Sequence, residues 1–114
     1  MKIVTESQFE NDYNNKLVVA LFTAKGCYPC GVMKNAVTYV EGKLIKKDLL
    51  EFLNIDTDEN SLLSEELNIN ATPTMIIFNN GKELHRVEGS ILIKQIMREI
   101  KETLVSNNLL VKLE

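Results

Sequence analysis

Cys27 and Cys30 are the only cysteines in the chain, and they stand three residues apart in Gly26-Cys27-Tyr28-Pro29-Cys30. Thiols at this spacing serve as metal ligands, as a structural disulfide, or as a dithiol that cycles through a disulfide. Two cysteines do not complete a four-ligand zinc site. His85, the one histidine, is distant in sequence and reads as an exposed or partly packed strand residue. Zinc shared between two chains is a weak remaining option, so no metal is expected. A 114-residue chain with 45% apolar residues can build a core without a covalent staple. Redox chemistry is the favoured reading.

That chemistry needs a particular setting. An apolar run, Leu17-Val18-Val19-Ala20-Leu21-Phe22, precedes the pair and has no alternation, as in a strand buried on both faces. Thr23 to Gly26 turn the chain. After the pair, Val32, Ala36 and Val40, with Met33 and Val37 beside them, trace one apolar face of a helix that Gly42 stops. Cys27 therefore falls at a helix N-terminus. There the unpaired N–H groups and the helix dipole favour an anion, which here is the nucleophilic thiolate. Cys30, one turn inward, can reach its sulfur and resolve a mixed disulfide. Pro29 suits the first turn, where its fixed φ is helical and its missing N–H is not needed. Lys25 either adds modest positive potential near Cys27 or is a solvated loop lysine.

The remaining elements follow the same logic. Lys2 to Thr5 reads as a short strand. Ser7 caps a helix to about Asn15, with Phe9 and Tyr13 on one face. Leu49, Leu53 and Ile55 share a parity around a strand ending at Asp56. Asn60 or Ser61 caps a short helix to about Leu67. Met75-Ile76-Ile77-Phe78 is an apolar strand, Asn80-Gly81 a hairpin turn, and Glu83 to Val87 the returning strand, broken by Gly89. From Ile91 onward, Ile93, Ile96, Met97, Ile100 and Leu104 trace a final amphipathic helix. Helical crossovers between strands imply βαβ units in an α/β fold, a mixed sheet with helices on both faces. Residues 1–106 form the domain. Residues 107–114 are a tail, either an extra packed segment or a vector-derived remnant.

A net charge of −3 with interspersed signs argues against nucleic-acid binding. Leu17 to Phe22 is too short to cross a bilayer, and Met1 to Phe9 carries no apolar run of the secretory kind. A soluble cytoplasmic protein is expected, and in that reducing compartment a permanent disulfide is uncommon.

Four stretches together resemble the thioredoxin family over about Ile3 to Leu104. They are the buried strand with Gly26-Cys27-Tyr28-Pro29-Cys30; Leu53-Asn54-Ile55-Asp56; Ala71-Thr72-Pro73-Thr74 with its strand and Asn80-Gly81; and Gly89 before the last helix. The resemblance implies the thioredoxin fold and a protein-disulfide reductase with Cys27 and Cys30 as its catalytic pair. It also implies disulfide-bearing protein substrates, no bound cofactor, electrons from NADPH through a thioredoxin reductase, and a monomer. Thr72-Pro73 would be the cis-proline loop beside Cys27, with the Thr72 backbone free to pair with substrate. The plainer alternative is a trans proline that starts a strand.

Departures from the family pattern are equally specific. Gly26 stands for the usual Trp and Tyr28 for the usual Gly in the cysteine motif. Leu21 occupies the place of the family's buried Asp, and about Phe52 that of its partner Lys. Apolar replacement of both members of a buried pair is tolerable, but it implies slower resolution by Cys30. Tyr28 either contacts substrate or is a half-exposed loop aromatic. Two other functions remain in view. A glutaredoxin-like, glutathione-fed reductase is disfavoured because Asn79-Asn80-Gly81 stands where that family carries Gly-Gly. A non-catalytic adaptor would have no need of both cysteines.

Overall fold

The computed structural model describes residues 1–43 and 50–109. Among the described residues, strands and helices alternate except for one strand pair: β1 (Lys2–Ile3), α1 (Glu6–Asn15), β2 (Leu17–Thr23), α2 (Tyr28–Glu41), β3 (Leu50–Asp56), α3 (Ser61–Glu66), the hairpin β4 (Thr74–Asn79) and β5 (Lys82–Glu88), and α4 (Ile93–Ser106). The five strands form one sheet in the order β1-β3-β2-β4-β5. β1 and β2 run parallel to β3, whereas β4 pairs antiparallel with both β2 and β5. The sheet is mixed, as expected.

All seven residues of β2 are buried. Because strand side chains alternate between faces, β2 feeds two cores. Leu17, Val19 and Leu21 pack with Met33, Val37 and Val40 of α2 and with Ile96, Ile100 and Leu104 of α4. Val18, Ala20 and Phe22 pack on the other face with Phe9 of α1 and Leu63 of α3. Helices therefore cover both faces. Leu21 and Phe52 lie together in the first of these cores, so apolar groups fill the space that a buried ion pair would need.

Several local expectations are corrected. The first strand pairs over Lys2–Ile3 only. Thr5, not Ser7, caps α1, since its hydroxyl accepts from Gln8 N–H while the Gln8 side chain accepts from Thr5 N–H. That Thr-x-x-Gln box satisfies two otherwise unpaired donors at once. Val32 is 48% exposed, and the face α2 buries runs through Cys30, Met33, Val37 and Val40. One residue on a helix is about a quarter-turn, so Met33 and Val32 cannot both face the sheet. Gly42 does end α2, but in right-handed geometry (φ −64°) rather than the left-handed cap. Asn60 stands at the start of α3, yet its amide donates to the Asp56 carbonyl instead of accepting from the helix. α4 begins at Ile93, with Gln95 Oε1 accepting from Leu92 N–H. Ile91 packs against the core ahead of it.

Asn80 and Gly81 both have positive φ, 49° and 83°, the requirement of a two-residue hairpin turn. At the far end, α4 closes with Asn108 at φ 57°, Asn108 N–H bonded to Val105 O and Leu109 N–H to Leu104 O. This is the Schellman arrangement, and Leu109 caps it by packing against the first core. Leu49 and the tail beyond Leu109 lie outside the described residues.

Candidate active site

β2 and β3 are parallel, so they end at the same edge of the sheet. β4 is antiparallel to β2 and therefore starts there. Three loops meet at that edge, and Cys27 sits among them. It is the N-cap residue of α2, with extended backbone (φ −94°, ψ 102°), and Tyr28 and Pro29 open the helix. Pro29 is at the second helical position, where no intrahelical acceptor waits for an N–H. Gly26 precedes with φ +72°, a left-handed turn that a side chain would disfavour.

Cys27 and Cys30 are joined as a disulfide, their Cα atoms 5.3 Å apart. Cys30 N–H donates to Cys27 O at 3.2 Å, closing the first turn beneath the bridge. The two cysteines differ in access: Cys27 is half-buried, whereas Cys30 is 3% exposed. Tyr28 is 84% exposed, so its ring belongs to the surface and not to the core. The first turn of α2 contains no acidic residue to oppose an anion.

The loop before β4 faces the bridge. The Thr72–Pro73 bond is cis. Cys27 Sγ lies 3.7 Å from both Thr72 Oγ1 and Thr72 O. Pro73 is buried, and its carbonyl accepts from Gly89 N–H at 2.8 Å. Thr74 Oγ1 donates back to Ala71 O at 2.6 Å. Thr72 precedes the first paired residue of β4, Thr74, so its backbone lies outside the ladder.

Lys25 does not reach toward Cys27. Its ammonium pairs with Glu59 Oε1 at 2.5 Å, which raises its pKa above the ordinary lysine value. Its backbone N–H donates to Asp58 Oδ2 at 3.0 Å. Thr57 donates both its N–H and its hydroxyl to Thr23 O, at 2.7 and 3.0 Å. The turn after β3 therefore clasps the turn that carries Cys27. Asp56 shapes that clasp by accepting from the N–H groups of Asp58 and Glu59. Sequence reasoning did not assign Thr57, Asp58 or Glu59 a part. The available signal was an Asp two residues before a run of turn formers at a strand end, the signature of an Asx turn.

Behind this edge, Asn54 is 4% exposed and donates to Leu21 O and to Thr23 Oγ1, both at 3.0 Å. His85 is remote from the bridge, its Nε2 2.6 Å from Glu99 Oε2 between β5 and α4. Among the described residues, no group of three or more His, Cys, Asp or Glu is gathered for a metal, and no helix is long and apolar enough to cross a membrane.

The comparisons agree with this geometry. The Thioredoxin family profile matches residues 1–102. A chloroplastic thioredoxin Y of Oryza sativa subsp. japonica is 34% identical over 102 residues, covering 88% of this chain and 60% of the relative. The chain thus spans about three fifths of that relative's length. A thioredoxin of Griffithsia pacifica is 27% identical over 107 residues, covering 90% of this chain and 96% of the relative. Among solved structures, a thioredoxin of Malassezia sympodialis superposes with TM-score 0.80 at 26% identity, covering 90% of each chain. Chloroplastic thioredoxin z gives 0.79 at 26%, covering 92% of this chain and 95% of that one. With the family profile running from the first residue nearly to the end of α4, the chain belongs to the thioredoxin family.

Proposed function

We propose that the chain is a thiol–disulfide oxidoreductase that reduces protein disulfides. One observation carries the reading: a half-buried Cys27 at a helix N-terminus is bridged to a buried Cys30 one turn inward. The accessible sulfur is the nucleophile, and the sequestered one resolves. In the reduced protein the Cys27 thiolate attacks one sulfur of a substrate disulfide. A mixed disulfide forms, and the other substrate sulfur leaves as a thiolate and takes a proton. Cys30 then loses its proton and attacks Cys27. The Cys27–Cys30 bond forms, the mixed disulfide breaks, and the second substrate sulfur departs as a thiol. Two electrons and two protons pass to the substrate.

Gly26, Tyr28 and Pro29 shape the loop, and the exposed Tyr28 ring lies where substrate would approach Cys27. Thr72 and Pro73 form the opposing wall, with unpaired Thr72 backbone for an extended substrate segment. No bound cofactor is needed. Electrons return to the bridge from NADPH through a thioredoxin reductase, in electron transport that maintains redox homeostasis. The chain acts as a cytoplasmic monomer, a setting supported by a dithiol whose use requires reducing partners.

The test is capture. Cys30→Ser should trap disulfide-bearing proteins as mixed disulfides on Cys27, releasable by dithiothreitol, while Cys27→Ser should trap none. A reduction potential near about −270 mV would mark a thioredoxin-like reductant, and one nearer about −180 mV an oxidising or glutaredoxin-like role. If the double serine variant retained full activity, an adaptor function would replace this one.

A further inference from the structure

We infer that the outward face of α2 is a docking surface for a folded disulfide-bearing protein, taking an uncharged, apolar patch beside that protein's disulfide. The inference rests on Cys27 being the sulfur that exchanges with substrate. Tyr28, Val32, Asn35 and Tyr39 fall within about 60° of one another around the helix axis. All four are exposed, Tyr39 by 52%. They stand opposite Cys30, Met33, Val37 and Val40, the face that α2 buries. A surface helix normally turns its charged residues outward. α4, also of 14 residues and packed on the same core, does so with Lys94, Arg98, Lys101 and Glu102. α2 exposes no charged residue: it contains only Lys34 and Glu41, both half-buried and away from the stripe. Just past the helix, the Lys43 ammonium lies 5.2 Å from the Tyr39 ring centroid and closes the far end of the stripe. Exposed tyrosines on an uncharged surface are what protein interfaces favour.

The stripe begins beside the catalytic sulfur. Tyr28 follows Cys27, so a partner whose sulfur bonds to Cys27 sits against its ring. From there the stripe runs about 17 Å to Tyr39. An interface of standard size buries about 800 Å² on each partner, a patch of radius roughly 16 Å. A folded substrate seated on Cys27 therefore reaches along the stripe, whereas a small disulfide does not. The other flank of the sulfur is unsuited to an apolar partner. α2 lies on the first core, and the turn after β3, with Asp56, Asp58 and Glu59, leads to α3 on the second. An apolar partner is thereby directed to the α2 side.

The experiment mixes fully reduced protein with excess insulin, a protein disulfide, or with hydroxyethyl disulfide. Acid quenching, alkylation and mass spectrometry follow the oxidation of Cys27 and Cys30, and the readout is the ratio of the two second-order rate constants. Wild type is compared with the double variant Val32→Asn/Tyr39→Asn and with Val105→Asn, which removes an equally exposed apolar side chain from α4. Uncharged replacements neither attract nor repel insulin, and any loss of folded protein lowers both rates and cancels in the ratio. The double variant should lower the insulin-to-small-disulfide ratio about fivefold or more, and Val105→Asn should keep the wild-type ratio. A double variant with the wild-type ratio overturns the inference and leaves the oxidoreductase function standing. So does a Val105→Asn protein whose ratio falls as far. Wild type that is oxidised by neither disulfide removes the oxidoreductase function and this inference with it.

Discussion

Leu21→Asp restores a carboxyl at the position where thioredoxins carry one, and this chain is poorly prepared for it. Leu21 has no exposed surface and is packed among Val19, Met33, Phe52 and Met75. The nearest polar side chain across the β2–β3 pairing is Asn54, and both N–H groups of its amide are committed, to Leu21 O and Thr23 Oγ1. Phe52 supplies no cation. Losing the leucine side chain costs about 2–3 kcal/mol of burial, and a poorly partnered polar group adds about 1–3 kcal/mol. The sum, roughly 3–6 kcal/mol, is a large part of the ~5–15 kcal/mol that holds a typical domain together. Charge adds a pH dependence. In the unfolded chain the introduced carboxyl ionises near ~3.9, but in the core desolvation favours the protonated form. Above the unfolded value, the unfolded state has shed a proton that the folded state keeps. Stability therefore falls as pH rises, by about 1.4 kcal/mol per unit, until the folded group ionises too. From pH 5 to pH 7 the extra loss should approach ~2.7 kcal/mol. Urea unfolding of both proteins, oxidised, at the two pH values measures it. Equal destabilisation at pH 5 and pH 7 would refute the premise that this position is sealed from water.

Two further predictions concern the frame. Arg86 donates to Leu67 O and Asn68 O and makes a bidentate pair with Glu83, so Arg86→Ala should cost about 1–2 kcal/mol. Hydrogen bonds from Arg86 hold the Glu83 carboxyl below its ordinary range, so the pair's share is present at neutral pH and lost as pH falls through that lowered value. The gap between wild type and variant should narrow between pH 6 and pH 3, and a constant gap would leave only the two carbonyl contacts. Thr5→Ala should lower stability by about 1 kcal/mol, and Ser7→Ala by clearly less. The reverse order in thermal melts would reject the Thr5 cap.

Some of this was legible because it is local. The Leu17–Phe22 run had to be a strand buried on both faces, since no alternation marked a wet side. Asn80-Gly81 had to be a hairpin turn, since both residues accept positive φ. Errors arose where two local signals competed: Ser7 against the Thr5 box, and Val32 against Met33 for the buried face of α2. In each case agreement with other residues of the same helix decided, the reciprocal bond to Gln8 and the register with Val37 and Val40.

The sequence by itself determined that two thiols stand at the start of a helix after a buried strand. Spacing, helix geometry and the conformational limits of proline and glycine act within a few residues and need no fold. Only the tertiary structure decided what surrounds them. Thr72 is 45 residues from Cys27, and Asp58 is 33 residues from Lys25. Neither pairing has a local signature. Parallel β2 and β3 end at one edge and antiparallel β4 begins there, so the order of the sheet selects which loops meet the sulfur. The same order placed Lys25 against Glu59 and left Thr72 facing Cys27.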